Sequence, residues 1–326
     1  MRKIVVNVPE FDEMNVERLR KAAEENGFAI VFCDHTEDAL REAAEAEIVY
    51  TMHPKVIAAA KQAKWVHLPS AGVAAQVNEE LVPADVLLSN STGAYGLTIG
   101  EHMVMFTLML FRHMPELRLM KEEKSWNRAV AQRSIYGANF LLLGTGDIGK
   151  GFAKRLKGFE PAKIVGLSRS GKADPELFDE AGTLADLPKY LPEADVIALS
   201  MPSTPETYHV LNEETLALVK PGAIVINVGR GDAIDEKALI KALQDGRLLG
   251  AGLDVFEHEP LPDDDPLYSL DNVVFTPHVA GGFAVQYTRD QNALQFIEDL
   301  ENYANGRPMK HLINRELGYT AASYAK

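Results

Sequence analysis

The chain has little of what stabilises a small secreted protein or anchors one in a membrane. It contains a single cysteine, Cys33, so no disulfide can form within the chain, and a reducing compartment is expected. The first apolar run, residues 4–8, is too short for the core of a signal peptide, and no later run reaches the length of a membrane span. We therefore expect a cytoplasmic protein with no membrane partner.

Positive charge is also scarce. Lys and Arg number 33 against 47 Asp and Glu, which gives a formal net charge of -14 at pH 7. Such a field repels the phosphates of nucleic acid, and no local cluster of basic residues offsets it, so we expect no nucleic-acid partner. With one cysteine and no His-x-x-x-His spacing, we also predict no metal site.

What is present is the composition and patterning of a large globular α/β protein. The 326 residues suffice for two domains, and short apolar segments alternate with amphipathic ones in two series. This alternation predicts parallel sheets covered by helices on both faces. Strands are predicted at residues 4–8, 29–32, 48–50, 65–68 and 86–89, and again at 140–143, 164–167, 196–199, 223–228, 249–255 and 273–276. One long helix is predicted over 98–120, and the final helix, 287–305, is predicted to pack on the first series.

A glycine-rich loop follows directly on the strand 140–143 and opens a helix. Its residues are Gly144-Thr145-Gly146-Asp147-Ile148-Gly149. Between a buried strand and a helix, the G-x-G-x-x-G motif is typical of a dinucleotide site. Gly144 permits the tight turn, Gly146 lets the backbone approach the pyrophosphate, and Gly149 lets the helix pack on the sheet. The alternative is a glycine-rich turn without a ligand, which the flanking strand and helix argue against.

The end of the next strand predicts which dinucleotide binds. The sequence there is Ser168-Arg169-Ser170, whereas an NAD site normally has Asp or Glu to bind the ribose 2′-hydroxyl. Arg169 can form charge-assisted hydrogen bonds to a 2′-phosphate, and the serines can donate to it. The alternative is a solvated surface arginine. The sequence favours NADP, with NAD as the less favoured cofactor.

Three later segments, 227–231, 254–260 and 276–282, each place polar residues at the end of a predicted strand. In a doubly wound sheet the carboxyl ends of the strands form the crevice where ligands bind. Arg230 can hold a substrate carboxylate and polarise the adjacent carbonyl, and His278 can donate a proton to the carbonyl oxygen as hydride arrives. Glu259, if bonded to that imidazole, favours its protonated form and fixes its orientation. Together they supply what reduction of a 2-oxo acid requires.

With these segments the chain resembles the D-isomer-specific 2-hydroxyacid dehydrogenase family over nearly its whole length. The resemblance is carried by GTGDIG at 144–149, MPSTPET at 201–207, NVGRG at 227–231, DVFEHEP at 254–260 and TPHVAGG at 276–282. It implies that Arg230, Glu259 and His278 are catalytic and that Asp254 lies near the nicotinamide carboxamide. It also implies a homodimer, and the Ser-Arg-Ser segment resembles the NADPH-dependent glyoxylate/hydroxypyruvate reductase branch.

The resemblance also assigns residues outside these roles. Backbone amides of a loop, Ser70-Ala71-Gly72-Val73, are expected to bind the substrate carboxylate, and Met52 is assigned to the substrate site. The cofactor site is expected to include Ser200, Met201, Pro202, Val228, Gly229 and Gly281. His102 on the long helix is expected to contact a neighbouring helix rather than to take part in catalysis.

Three departures from the family pattern leave the substrate open. Thr92 stands where many relatives have proline, and Ser200 stands where many have histidine. The segment Ala74-Ala75-Gln76-Val77 replaces a common Asp-x-x-Asp. None of these changes removes a catalytic residue.

We therefore predict an α/β fold of two doubly wound domains. A Rossmann-type dinucleotide-binding domain, residues 97–286, is inserted into a flavodoxin-like substrate domain, residues 1–96 with 287–326. The predicted function is NADP(H)-dependent reduction of a 2-oxo acid to a D-2-hydroxy acid. Two alternatives are a dinucleotide-sensing protein similar to a corepressor and an NAD enzyme similar to phosphoglycerate dehydrogenase.

Overall fold

The computed structural model describes residues 2–73 and 77–320. Contacts within the chain divide it into a first unit, Met1–Tyr95 with Gly282–Lys326, and a second unit, Gly96–Gly281. The residues Ala74, Ala75 and Gln76, which belong to one of the departures noted above, lie outside the described residues.

Strands and helices alternate along most of the chain. The strands are β1 (Arg2–Asn7), β2 (Phe28–Phe32), β3 (Ile48–Thr51), β4 (Trp65–Leu68), β5 (Leu87–Asn90), β6 (Asn139–Leu143), β7 (Lys163–Leu167), β8 (Glu180–Gly182), β9 (Val196–Leu199), β10 (Ala223–Asn227), β11 (Leu248–Leu253), β12 (Val273–Phe275), β13 (Ile313–Asn314) and β14 (Tyr319–Thr320). The helices are α1 (Glu13–Glu25), α2 (Thr36–Ala43), α3 (Pro54–Ala59), α4 (Gly96–Phe111), α5 (Met114–Glu123), α6 (Asp147–Leu156), α7 (Leu187–Tyr190), α8 (Glu213–Leu218), α9 (Glu236–Gln244) and α10 (Gln286–Ala304).

The first unit is built on a five-stranded parallel sheet in the order β2-β1-β3-β4-β5. This is the strand order of a flavodoxin-like doubly wound sheet. Every residue of β3 and β4 is buried, as expected when helices cover both faces. On one face Tyr50 and Trp65 stack against Phe296 of α10, with ring centroids 4.7 and 5.1 Å apart. The final long helix thus belongs to the core of the first unit.

The second unit is built on a seven-stranded parallel sheet in the order β12-β11-β10-β9-β6-β7-β8. Numbered from β6, the order is 3-2-1-4-5-6 with one further strand, which is the Rossmann arrangement. The direction of winding reverses between β6 and β9, and dinucleotides bind at this point in such sheets. The predicted α/β fold with two doubly wound sheets is confirmed.

The prediction of one helix over 98–120 was wrong. The chain forms α4 and α5, separated at His113, whose φ of 50° lies in the left-handed region. Pro115 explains the break, because it has no N–H to donate to the preceding turn and its ring would clash with the carbonyl four residues earlier in a continuous helix. The short strand β8 was not predicted, since its sequence Glu-Ala-Gly contains no β-branched or aromatic residue.

Across both described ranges, no helix combines the length and the apolar character that a bilayer span requires.

Helices α4 and α6 approach closely because glycines lie at their contact. A Cβ on Gly151 of α6 would lie 1.8 Å from the carbonyl oxygen of Gly96, and a Cβ on Gly100 would lie 2.8 Å from the backbone of Gly151. No side chain fits at these positions without moving a helix. The packing of α4 on the nucleotide-binding sheet therefore depends on these glycines.

We predict that Gly151→Ala destabilises the protein by about 1–3 kcal/mol, as expected for an overpacked contact between backbones. Gly158→Ala is the matched control, because no atom lies within 4 Å of a Cβ placed there. The control should change the free energy of unfolding by less than about 0.5 kcal/mol. Urea denaturation of the two variants measures this difference, and equal midpoints would contradict the prediction.

A chain of hydrogen bonds runs through the buried side chain of His67 on β4. The Trp65 indole donates to Ser89 Oγ at 2.7 Å, which lies 2.6 Å from His67 Nδ1. His67 Nε2 lies 3.2 Å from Ser91 Oγ, and that hydroxyl donates to the Leu68 carbonyl. Burial lowers the pKa of His67 from 6.5 to about 3. The neutral ring can then accept at one nitrogen and donate at the other.

This pKa shift predicts how stability depends on pH. The unfolded chain binds a proton at His67 below about pH 6.5 and the folded chain does not until about pH 3, so stability falls as pH decreases through that range. The loss should be about 1.4 kcal/mol per pH unit. His67→Asn removes the titration, and its free energy of unfolding should fall less steeply between pH 6.5 and 5 than that of the wild type. Parallel slopes would show that His67 is not the group responsible.

Candidate active site

The glycine-rich loop joins β6 to α6 at the point where the winding of the sheet reverses. Gly144 has a φ of 111°, and a Cβ on Gly149 would lie 2.0 Å from the Gly144 carbonyl oxygen, so both positions require glycine. Nothing lies within 4 Å of a Cβ on Gly146, and no side chain among the described residues caps the N-terminus of α6. Open backbone and the main-chain N–H groups at a helix N-terminus fit a pyrophosphate.

Two polar residues of this loop bind neighbouring backbone. Asp147 Oδ2 accepts a hydrogen bond from the Gly96 N–H at 2.7 Å, which ties α6 to the first residue of α4. Thr145 Oγ1 donates to the Lys172 carbonyl at 3.0 Å. The Ser168 hydroxyl donates to the same carbonyl at 3.0 Å. These bonds fix the segment in which Arg169 lies.

The end of β7 presents a cation and no carboxylate. Ser168 is buried, whereas Arg169 and Ser170 are exposed. Hydrogen bonds from the backbone and Thr204 lower the pKa of Glu206, and the charge of Arg169 adds to that effect. Arg169 therefore lies close enough to the loop after β9 to act on Glu206 through charge.

Arg230 lies between two glycines that let three loops meet. A Cβ on Gly229 would lie 2.8 Å from the Met201 carbonyl oxygen, and a Cβ on Gly231 would lie 1.9 Å from the Phe256 backbone. Asn227 fixes the turn, because its side chain donates to the Arg230 carbonyl at 2.8 Å and accepts from the Gly229 N–H at 3.0 Å. The backbone of Arg230 is thus held between the loops that follow β9 and β11.

The guanidinium of Arg230 is largely enclosed. Its Nη1 donates to the Gly229 carbonyl at 2.6 Å. Burial lowers the pKa of Arg230 from its ordinary value, and the charges of Glu259 and Asp232 oppose that shift. An arginine remains a cation at neutral pH, so the site contains the local positive centre that an anionic substrate needs in an acidic protein.

His278 and Glu259 form a hydrogen-bonded pair. His278 Nδ1 lies 2.7 Å from Glu259 Oε2, and the other carboxylate oxygen accepts from the Phe256 N–H at 3.0 Å. Because a carboxylate accepts, Nδ1 is the donor, and Nε2 is the ring nitrogen left to face a substrate. The His278 side chain is 51% exposed, so the ring is open to a ligand.

The predicted site residues of the second unit all follow strand ends at one edge of the sheet. They follow β6 (144–149), β7 (168–170), β9 (200–202), β10 (228–230), β11 (Asp254 and Glu259) and β12 (His278 and Gly281). Asp254 is only 2% exposed, and Ser200 Oγ donates to the Gly144 carbonyl at 3.4 Å. The expected contact of His102 with a neighbouring helix stays a prediction. The structure adds a contact that was not predicted, because His102 Nε2 lies 3.0 Å from Thr276 Oγ1 and nothing local in the sequence links the two residues.

In the first unit, the main-chain carbonyl groups at the end of β4 and in the loop after it all accept hydrogen bonds from neighbouring residues. Five successive carbonyls accept hydrogen bonds: Leu68 from Ser91 Oγ (3.2 Å), Pro69 from Tyr95 Oη (2.6 Å), Ser70 from the Ser91 N–H (3.0 Å), Ala71 from Asn90 Nδ2 (2.7 Å) and Gly72 from Ser70 Oγ (2.7 Å). No described residue accepts from the amide N–H groups of Ala71, Gly72 or Val73. This loop can therefore offer main-chain donors to an anion. Met52, after β3, is half exposed.

Asn90 and Ser91 were not assigned a role from the sequence, and the hydrogen bond from Tyr95 to this loop was not predicted. A partial signal existed, because Asn90 ends the strand next to β4 and its polar side chain would fall at the same sheet edge. Within residues 2–73 and 77–320, no group of three or more His, Cys, Asp or Glu side chains is arranged to bind a metal ion.

The fold and the loop at the winding reversal define a dinucleotide-binding oxidoreductase, and comparison with known proteins gives the family. Residues 104–280 match the model of the D-isomer specific 2-hydroxyacid dehydrogenase, NAD binding domain. The glyoxylate reductase of Korarchaeum cryptofilum is 35% identical over 245 residues, which are 73% of this chain and 72% of that protein. Some other glyoxylate reductases align over only 53% of their length.

Solved structures agree with this match over almost the whole chain. A D-isomer specific 2-hydroxyacid dehydrogenase family protein from Aeromonas salmonicida has a TM-score of 0.85 and 34% identity, over 96% of this chain and 99% of that one. A D-isomer specific 2-hydroxyacid dehydrogenase from Xanthobacter autotrophicus, in complex with NADPH and MES, has a TM-score of 0.81 and 27% identity, over 98% and 99%. The chain belongs to the D-isomer specific 2-hydroxyacid dehydrogenase family. The prediction of an NAD(P)-dependent oxidoreductase is confirmed.

Proposed function

We propose that the protein reduces a small 2-oxo acid to a D-2-hydroxy acid with NADPH, and that His278 supplies the proton. The observation that carries this proposal is the His278–Glu259 pair, held at the same sheet edge as Arg230 and the glycine-rich loop. The glyoxylate reductase among the relatives supports the substrate class. The D configuration rests on the family alone.

Each residue has a distinct role in this reaction. NADPH, when bound, supplies hydride to the carbonyl carbon of the substrate and becomes NADP⁺. Arg230 attracts the carboxylate and polarises the carbonyl, and the Nε2 proton of His278 passes to the oxygen as negative charge develops there. Glu259 keeps the ring oriented by accepting the hydrogen bond from Nδ1. The product is a neutral hydroxyl, and the imidazole is left neutral until it regains a proton from solvent.

We propose that the loop of the first unit binds the substrate carboxylate. The amide groups of Ala71, Gly72 and Val73, from which no described residue accepts, can donate to one or both carboxylate oxygens. Hydrogen bonds to an ionised acceptor are stronger than those to a neutral one. Main-chain amides would recognise only the carboxylate of the substrate, so this contact does not select the rest of the substrate molecule. Glyoxylate, hydroxypyruvate, pyruvate and phenylpyruvate share the recognised group and differ in the rest.

A steady-state assay of those four acids with NADPH and then NADH tests the proposed reaction. Turnover of at least one acid is expected, with NADPH preferred. If none is reduced and the dinucleotide still binds, the protein is a dinucleotide-sensing module rather than a reductase, and the proposal fails.

We predict that His278→Ala lowers kcat by about 10²–10⁴-fold, which is the usual contribution of a positioned general acid. The dissociation constant for NADPH should stay within about twofold, because the proposed role of the ring is in proton transfer rather than in binding the phosphates. His258→Ala is the matched control, since His258 is exposed and is the residue directly before Glu259 in the sequence. A variant at 278 that retains the wild-type rate would remove His278 from the mechanism.

We propose that Arg169 makes the protein prefer NADPH over NADH. The absence of a carboxylate at residues 168–170 supports this proposal, and so does the related structure in complex with NADPH. Arg169→Asp should weaken NADPH binding by about 10- to 100-fold, which corresponds to a lost charge-assisted hydrogen bond of about 1.5–3 kcal/mol. NADH binding should change by less than about threefold. Fluorescence titration with both cofactors measures the difference.

Lys237→Asp makes the same change in net charge at an exposed position on α9 and serves as the control. Equal weakening of both cofactors by Arg169→Asp would show that Arg169 does not bind the 2′-phosphate.

We further propose a homodimer, as the family resemblance implies, in the cytoplasm. In the single chain Trp126 is 91% exposed and α5 buries none of its residues, so both are available to a second copy.

A further inference from the structure

The backbone at His278 adopts a conformation that needs support from its surroundings. Its φ is 54°, in the left-handed region, where a residue with a side chain costs roughly 1–2 kcal/mol. Such a conformation persists only where neighbouring groups determine it. The direction of the imidazole depends on this backbone turn, so the groups that stabilise the turn also determine the orientation of the ring.

One residue, Asp254, accepts from the three amides of this turn. The His278 N–H donates to the Asp254 carbonyl at 2.8 Å. The Val279 N–H donates to Oδ1 at 2.9 Å, and the Ala280 N–H lies 3.2 and 3.1 Å from Oδ1 and Oδ2. The amides of Val279 and Ala280 thus converge on one carboxylate, as the amides of turns that contain a left-handed residue do around an anion. The carboxylate is buried, so its bonds to these amides are shielded from water.

The carboxylate is itself oriented by Thr276. Thr276 Oγ1 donates to Asp254 Oδ1 at 2.5 Å. A hydroxyl has one proton, so Thr276 must accept the bond from His102 Nε2, which lies 3.0 Å away. Burial lowers the pKa of His102, against the opposing charge of Asp254. The ring is therefore neutral at pH 7 with its proton on Nε2, and Phe106 contacts it edge to face at 4.6 Å.

We propose that His102 and Thr276 are positioning residues for His278, acting through Asp254. The bonds run from His102 to Thr276, to the Asp254 carboxylate and to the amides of Val279 and Ala280, which follow His278 and so set the direction of the imidazole. Neither residue needs to touch substrate or cofactor. The inference rests on the proposed role of His278 as the proton donor. Without the Thr276 hydroxyl, the carboxylate can turn away from the amides and the left-handed turn can relax.

The expected cost is a loss of rate rather than of cofactor binding. Misplacement of a reacting group by about 1 Å can cost about 100-fold, so Thr276→Val should lower kcat by about 10- to 100-fold. The dissociation constant for NADPH should stay within about twofold. The primary isotope effect with NADPH deuterated at nicotinamide C4 should increase, because the chemical step becomes more fully rate-limiting. Thr276→Ser keeps the hydroxyl and should remain close to the wild type.

The second pair of variants tests the other end of the chain of bonds. His102→Leu removes the donor, and His102→Gln replaces it with an amide at about the position of Nε2. The leucine variant should lose kcat in the same direction as Thr276→Val, and the glutamine variant should recover most of it. If Thr276→Val does not fold, this pair carries the test alone.

Amide hydrogen exchange at residues 278–280 gives a readout that does not depend on turnover. Exchange should be at least about tenfold faster in Thr276→Val and His102→Leu than in the wild type, which corresponds to about 1.4 kcal/mol of lost protection. If the wild type reduces no 2-oxo acid, the proposed function fails, while this measurement still decides whether the two residues hold the turn.

Three results would overturn the inference. Unchanged kcat and unchanged exchange would show that the bonds do not hold the turn. A loss of NADPH affinity in proportion to the loss of kcat would show that Asp254 acts through the cofactor instead. Equal damage by Thr276→Ser and Thr276→Val would show that the hydroxyl is not the group that matters.

Discussion

The parallel pairing of the seven-stranded sheet is the constraint on which the site depends. Every strand of a parallel sheet ends at the same edge, so residues far apart in sequence, such as Gly144 and His278, reach one side of the second unit. The reversal of winding between β6 and β9 opens a crevice at that edge. The candidate site is therefore formed by several loops, each of which contributes one or two side chains.

Close approach of backbone to backbone sets how tightly those loops can gather. Glycines at 149, 229 and 231 each occupy places where a Cβ would lie under 3 Å from another loop or turn. The backbone of Arg230 therefore receives its position from two residues with no side chain, together with the hydrogen bonds of Asn227. The pair of His278 and Glu259 is fixed by hydrogen bonds alone, because the carboxylate accepts from the ring and from a backbone amide. Close backbone packing thus contributes to the position of the guanidinium, and polar contacts set that of the imidazole.

The sequence predicted the elements that have a local signature. Alternating apolar segments predicted both sheets, and the glycine-rich loop predicted a dinucleotide site where α6 begins. Pro115 is a local signal for the helix break at His113, but the apolar periodicity continues across it and favours one helix. The bond between His102 and Thr276 joins residues 174 positions apart, and neither motif nor period signals such a contact. The hydrogen bonds to the carbonyl groups of the loop after β4 were not predictable from the sequence either. The direction of those carbonyl groups follows from tertiary contacts with residues 90–95.

That loop has a consequence for how the enzyme could diverge. Its shape is set by Asn90, Ser91 and Tyr95, which bond to its carbonyls, rather than by the side chains of Ala71 or Val73. If the amides bind the substrate carboxylate, as proposed, the residues that shape the carboxylate site lie outside the loop whose amides bind it. Mutations within the loop could then alter which substrates are accepted while the shared acid group is still bound, so new specificities could evolve from this scaffold by few steps.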